Sequence, residues 1–81
     1  MYSYVPHGTC STLIEIEAEG GVIRRVKFTD GCDGSLQAIA RLVEGMAVED
    51  AIHKLKGIPC DTNPTSCPDQ LARALMEMID Q

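Results

Sequence analysis

The stretch from Thr12 to Thr29 constrains this chain more than any other. From Thr12 to Glu19 apolar and acidic residues alternate: Ile14, Ile16 and Ala18 fall on one side, Glu15, Glu17 and Glu19 on the other. A period of two is the side-chain repeat of a β-strand, so this is a half-buried strand with a wet, acidic face. Gly20-Gly21 comes next, a pair that tolerates the positive φ angles of a two-residue hairpin turn. The return strand, Val22–Thr29, is expected to turn Val22, Val26 and Phe28 inward, with Arg24 an exception among them. Arg25 and Lys27 take the other face, where they can serve as cross-strand partners for the glutamates.

Beyond the hairpin the pattern turns helical. Asp30-Gly31-Cys32-Asp33-Gly34-Ser35 turns the chain into a helix from about Leu36 to Glu44, in which Leu36, Ile39, Ala40 and Val43 repeat at i, i+3, i+4 and i+7. Gly45 ends it. A second helix over about Val48–Leu55 places Val48, Ala51, Ile52 and Leu55 on one side, and Gly57 stops it. Ile58 to Pro64 holds Pro59 and Pro64, so it is a loop, and it carries Cys60. The last helix starts after Cys67 and runs to about Ile79, with Leu71, Leu75, Met78 and Ile79 inward. Ahead of the hairpin, Tyr2–Val5 reads as a short edge strand closed by Pro6 and Gly8. No repeat, low-complexity segment or linker interrupts the pattern. The expected fold is α+β: a small antiparallel sheet, made of the hairpin and an N-terminal edge strand, packed against three helices in one domain over residues 1–81.

Size bears on stability. With 81 residues such a domain buries only ~60% of its unfolded surface, and chains of this size often carry a disulfide, a metal or a partner subunit as a staple. Tyr2, Tyr4 and Phe28 are the only aromatic residues, which makes a staple more needed. The formal net charge of −5 argues against nucleic acid as a partner, because phosphate binding requires a basic face. Arg24, Arg25 and Lys27 form the one basic cluster; they sit among acids and read as a solvated strand face. The N-terminus shows neither a basic nor an apolar signal region, and no apolar run approaches the ~20 residues of a membrane span. The expectation is a cytoplasmic protein, off the membrane, as a monomer or homodimer. Cytoplasmic thiols stay reduced, so four cysteines point to a metal or redox set before structural disulfides.

The cysteines stand at telling places. In Thr65-Ser66-Cys67-Pro68-Asp69, Pro68 suits the first helical position, which puts Cys67 at or next to the N-cap. Asp69 then falls in the first turn, and Gln70 can take the N3 slot of a capping box. A helix N-terminus gives a thiol electrostatic support as a reactive or metal-binding thiolate. Cys10 precedes the hairpin and Cys32 comes after it, so both are expected at one end of the sheet. Cys60 and Cys67 bracket the proline-containing loop, and none of the four falls on an apolar stripe. Four thiolates at Cys10, Cys32, Cys60 and Cys67 suit tetrahedral zinc or an iron–sulfur cluster. Six residues separate Cys60 from Cys67, wider than the usual knuckle of about two to four, so spacing alone leaves a metal-free redox pair and ordinary free thiols open. His7 is an alternative ligand or a solvated loop residue, His53 reads as surface, and Asp61 and Asp69 either orient the site or cap and solvate. No nucleophile–histidine–acid set, paired carboxylates or phosphate loop stands out.

Thr65-Ser66-Cys67-Pro68-Asp69 resembles the signature of the TSCPD domain family. The likeness extends along the chain through Tyr4-Val5-Pro6-x-Gly8-x-Cys10-Ser11, Phe28-x-x-Gly31-Cys32 and Gly57-Ile58-x-Cys60. That family occurs as small stand-alone proteins and near the C-terminus of adenosylcobalamin-dependent ribonucleotide reductases. The resemblance implies an accessory role in deoxyribonucleotide synthesis, with a reductase or a redox protein as partner, and no reductase activity in a chain this short. The element order is also similar to that of NifU/IscU-type iron–sulfur scaffold proteins, with Cys10, Cys32 and Cys67 at the positions of that family's cluster cysteines. This implies an IscU-like topology. Here Thr12 and Ser66 stand where that family keeps an acid and a histidine, and Cys60 is extra. Two functions are therefore expected: a metal-organised binding module, or a thiol redox or cluster-handling protein without a permanent structural metal.

Overall fold

A computed structural model describes residues 1–6, 8–9, 11–30, 33–59 and 65–80. Strands β1 (Tyr2–Tyr4), β2 (Leu13–Glu19) and β3 (Val22–Thr29) are succeeded by helices α1 (Asp33–Val43), α2 (Val48–Leu55) and α3 (Cys67–Ile79). The sheet has the order β1-β2-β3 and is antiparallel throughout. This is the α+β arrangement the alternation and helical periods imply, with β1 on the outer edge.

Gly20 and Gly21, at φ 62° and 78°, make the tight turn, and Glu15 and Glu17 face Lys27 and Arg25 across the hairpin as expected. The inner face of β3 differs from expectation. Ile23 and Val26 are the buried residues, and Val22 is only half-buried. The register explains it: Glu17 pairs with Arg25, but Ala18 pairs with Ile23, so Arg24 is an extra residue on β3. Such a β-bulge breaks the period of two and moves every residue before it to the opposite face. Arg24 breaks the alternation because it is the bulge.

All three helices lie on the apolar face. α1 packs against β3, and α3 packs against β2 and α2. Ile14, Ile16, Ile23 and Val26 from the sheet meet Val43, Val48, Ala51 and Ile52, and Leu71, Ala74 and Leu75 of α3. Tyr4 and Tyr2 pair with Ile14 and Ile16, so they share the core face, and their rings reach across to α3. The Tyr2 hydroxyl donates to Glu77 and that of Tyr4 to Gln70 Oε1 at 3.3 Å. The hydrogen bond to Glu77, then partial burial and the negative charge, push the Tyr2 phenol up to about 12. Ile79 departs from the inward set at 52% exposed. It shares a side of α3 with the buried Ala72 but sits two turns further on, where the cover has ended.

The hairpin tip is fastened to the α1–α2 corner. Gly45, at φ 85°, donates its N–H to Ile23 O at 2.7 Å, and Ile23 N–H returns to Met46 O at 2.9 Å. Ala47 gives α2 no side-chain cap, and the Gly21 carbonyl takes the Val48 N–H instead, at 2.9 Å. Since the C-terminal end of α1 meets the hairpin tip, its N-terminus lies at the open end of the strands. There Thr12 joins the two strands, its N–H on Thr29 O at 2.9 Å and its hydroxyl on Asp30 Oδ2 at 2.7 Å.

Candidate functional site

The N-terminus of α3 is built by the residues around Cys67. Ser66 is the N-cap, in an extended conformation at φ −148°, and its hydroxyl accepts the Asp69 N–H at 3.2 Å. The same hydroxyl donates to Ile58 O at 2.6 Å. Cys67 therefore stands next to the cap, as expected, but Pro68 occupies N2 and Asp69, not Gln70, holds the N3 position. Ser66 takes the cap because its hydroxyl can serve an orphan helix N–H and a loop carbonyl together. Gln70 instead donates from Nε2 to Thr65 Oγ1 at 2.8 Å and receives Tyr4.

Asp69 is neither solvated nor a simple cap. It is 0% exposed, with Oδ1 accepting from Gly57 N–H at 2.7 Å. Oδ2 accepts from Thr65 Oγ1 at 2.5 Å and from Arg73 Nε at 3.1 Å. Burial alone pushes its pKa up; the hydrogen bonds from Thr65, Gly57 and Arg73 together outweigh it and hold the carboxyl below its ordinary value. The charged form is thus the one this pocket accommodates. Its partners lie on both sides of the loop that carries Cys60, Gly57 before it and Thr65 and Ser66 after it, and Ser66 itself reaches back to Ile58 O.

Cys67 is a half-buried free thiol. Its Sγ is 3.1 Å from Ser11 Oγ, with either able to donate. Ser11 is 3% exposed, and Thr9 Oγ1 lies 3.4 Å from its hydroxyl. The sulfur is therefore at the open end of the strands, beside the residue directly after Cys10 in the chain. Nothing in the charge pattern marks Ser11 as its neighbour; the signal is its place directly after a cysteine.

Cys10, Cys32 and Cys60, with His7 and Asp61, lie outside the described residues. Their described chain neighbours are tied to the same end. Ser11 touches Cys67, Thr12 holds Asp30 two residues before Cys32, and Ile58 receives Ser66 two residues before Cys60. His53 is exposed on α2 as expected. Among the described residues, no group of three or more His, Cys, Asp or Glu is placed to hold a metal. Among the described residues near Cys67, the carboxylates of Asp69 and Asp30 accept hydrogen bonds from protein hydroxyls and N–H groups, and Cys67 carries a free thiol, a donor type that suits a thiolate-bound metal or cluster. Among the described residues no helix is long and apolar enough to cross a membrane.

A family model described as the TSCPD domain matches residues 2–79. Comparison with curated proteins gave no match, and comparison with solved structures gave none. The likeness to iron–sulfur scaffold proteins accordingly rests on sequence.

Proposed function

Because the chain belongs to the TSCPD domain family, we propose that it is a small metal-binding module with zinc or an iron–sulfur cluster held by Cys10, Cys32, Cys60 and Cys67. It would serve ribonucleotide reduction as an accessory domain, docking onto a reductase or a redox protein. The observation that carries this reading is the position of Cys67: a half-buried sulfur at a helix N-terminus, hydrogen-bonded to the residue after Cys10. Bound zinc would supply a structural cross-link, and a cluster an electron-transfer centre. The chain's own part is to aim and support the sulfur. Ser66 fixes where α3 begins, Asp69 fastens the helix start to both sides of the Cys60 loop, and the Ser11 hydroxyl is placed to donate to Sγ.

The test is elemental analysis and a visible spectrum of protein purified anaerobically, with no chelator and no affinity metal. The expected result is zinc or iron near one site per chain, lost in each single Cys→Ser variant, with unfolding on metal removal. Iron should bring visible sulfur-to-iron absorption, whereas zinc should be silent. Absence of metal with four freely titrating thiols would overturn the proposal. A metal-free dithiol with a measurable reduction potential would replace it with the redox reading. Co-elution with the ribonucleotide reductase of the same cell tests the partner.

A further inference from the structure

The outer edge of β3 is a second place where this molecule can act, and it is independent of the cysteines. Main-chain groups along an edge strand point alternately toward its neighbour and away from it. Ile23 is in the outward set, since its N–H and C=O go to Met46 and Gly45. With the bulge at Arg24–Arg25 counted as one step, Val26 and Phe28 are the next outward residues. No described residue takes their main-chain groups. Beside them, between β3 and α1, lies an open groove of about 270 Å³ whose lining mixes apolar Val26, Phe28, Leu36 and Ala40 with polar Lys27, Asp30 and Gln37. Outward strand groups that no described residue takes, next to a groove with both apolar and polar walls, suit an added strand.

The charge around this edge is unlike that of the rest of the chain. Arg24, Arg25 and Lys27 are exposed on β3, and Arg41, one turn beyond Gln37, is exposed on α1. Four of the seven Lys and Arg residues thus border one edge of a chain whose net charge is −5. Across the hairpin, Glu15 faces Lys27 and Glu17 faces Arg25. An acidic strand added outside β3 would continue these rows as acid, base, acid. A second copy meets repulsion in two of its registers: antiparallel pairing of β3 with itself about Lys27 sets Lys27 against Lys27, and about Val26 sets Lys27 against Arg25, whereas pairing about Phe28 sets Lys27 against Thr29 and forgoes the charge match. Like charges directly opposite each other destabilise a sheet.

We infer that the β3 edge is a docking site for an extended acidic segment of a partner protein, which adds as a fourth strand over the groove between β3 and α1. Main-chain hydrogen bonds at Val26 and Phe28 give the alignment, and Arg24, Arg25, Lys27 and Arg41 select the charge.

The experiment is amide hydrogen exchange and chemical-shift mapping on the full chain, with an end-blocked synthetic peptide of alternating valine and glutamate as probe. Expected are exchange at least about tenfold slower at the Val26 and Phe28 amides and shifts at Leu36, Gln37 and Ala40. The same peptide N-methylated at alternate residues keeps its charge but cannot form the ladder, and it should not protect these amides. A valine–lysine peptide should not bind, and the Arg24→Gln/Lys27→Gln variant should bind the acidic peptide about tenfold more weakly. Equal binding of the N-methylated peptide, equal binding of the lysine peptide, or no protection at Val26 and Phe28 would each overturn the inference. So would protection of these amides that rises with protein concentration alone, which would identify a second copy as the occupant.

Discussion

The buried carboxylate of Asp69 allows the sharpest test of how the helix start is held. In Asp69→Asn the shape is kept and one acceptor becomes a donor. The amide oxygen can keep the Gly57 N–H now at 2.7 Å from Oδ1. The amide nitrogen then replaces Oδ2 and faces the Thr65 hydroxyl and Arg73 Nε, both of which donate to that oxygen in the parent. Arg73 is 59% exposed, so its bond can pass to water and contributes only ~0–1 kcal/mol. The Thr65 bond is the larger loss, about 1.5–3 kcal/mol for a hydrogen bond to a charged group. Together these give roughly 1.5–4 kcal/mol, out of about 4–12 kcal/mol for a domain of this size. At ~4–8 °C per kcal/mol, the melting temperature should fall by about 6–32 °C. Urea unfolding monitored by circular dichroism measures the free-energy loss and a thermal scan the shift in melting temperature, and a variant within ~0.5 kcal/mol of the parent would refute the reasoning. The pH dependence adds a signed check. The folded-state pKa of Asp69 lies below its ordinary value, so its contribution is full above that ordinary value and is lost as pH falls through the folded one, below about pH 4. The gap between parent and Asp69→Asn should narrow in acid; a gap unchanged from neutral pH to about pH 3 would contradict the assignment.

Further variants test the cap at this site and the register of the hairpin. Ser66→Ala removes both the α3 cap and the donor to Ile58 O, and should cost about 1–2 kcal/mol in urea unfolding, with Ser66→Thr recovering most of it. Deleting Arg24 should leave the chain folded, within about 1–2 kcal/mol of the parent, because the Ala18–Ile23 and Glu17–Arg25 pairs and the inward set survive without the bulge. Deleting Lys27 shifts the parity between Val26 and Phe28 and should unfold the domain; equal melting of the two deletions would show that the bulge does not govern the register.

Local signals carried most of the fold. Two glycines between alternating runs, apolar residues at helical spacing, and stops at Gly45 and Gly57 place five of the six elements within a few residues, because each rule acts over neighbours. The inner face of β3 was not legible for a related reason. A bulge is a relation between two strands, and the sequence of one strand shows only that Arg24 is out of pattern. Ile79 illustrates the same limit at a helix end, since periodicity assigns a side but not how far along the helix that side is covered. Around Cys67, the sequence located the helix start to within one position. It could not reveal that Asp69 reaches back to Gly57 and that Ser66 reaches Ile58, since both contacts cross the loop between α2 and α3.

Those contacts give four of the five residues in Thr65-Ser66-Cys67-Pro68-Asp69 a distinct physical task. Thr65 bridges Asp69 and Gln70, Ser66 caps the helix and holds the loop, Pro68 pre-sets its φ for the first turn, and Asp69 fastens the start of α3 to Gly57. The latch is polar and closes around both sides of the loop that carries Cys60 without using a cysteine. Cys67 is the exception among the five. Its described interaction is with the Ser11 hydroxyl at 3.1 Å, and a serine at this first helical position would make that bond better, since S–H is a weak donor and sulfur a weak acceptor. A buried, charged latch is a demanding way to fix one helix start, because the carboxylate must be matched on both oxygens. Packing and hydrogen bonding explain the latch, and they explain Ser11, but neither asks for sulfur. On the function proposed above, the thiol at the point the latch fixes is there as a metal ligand.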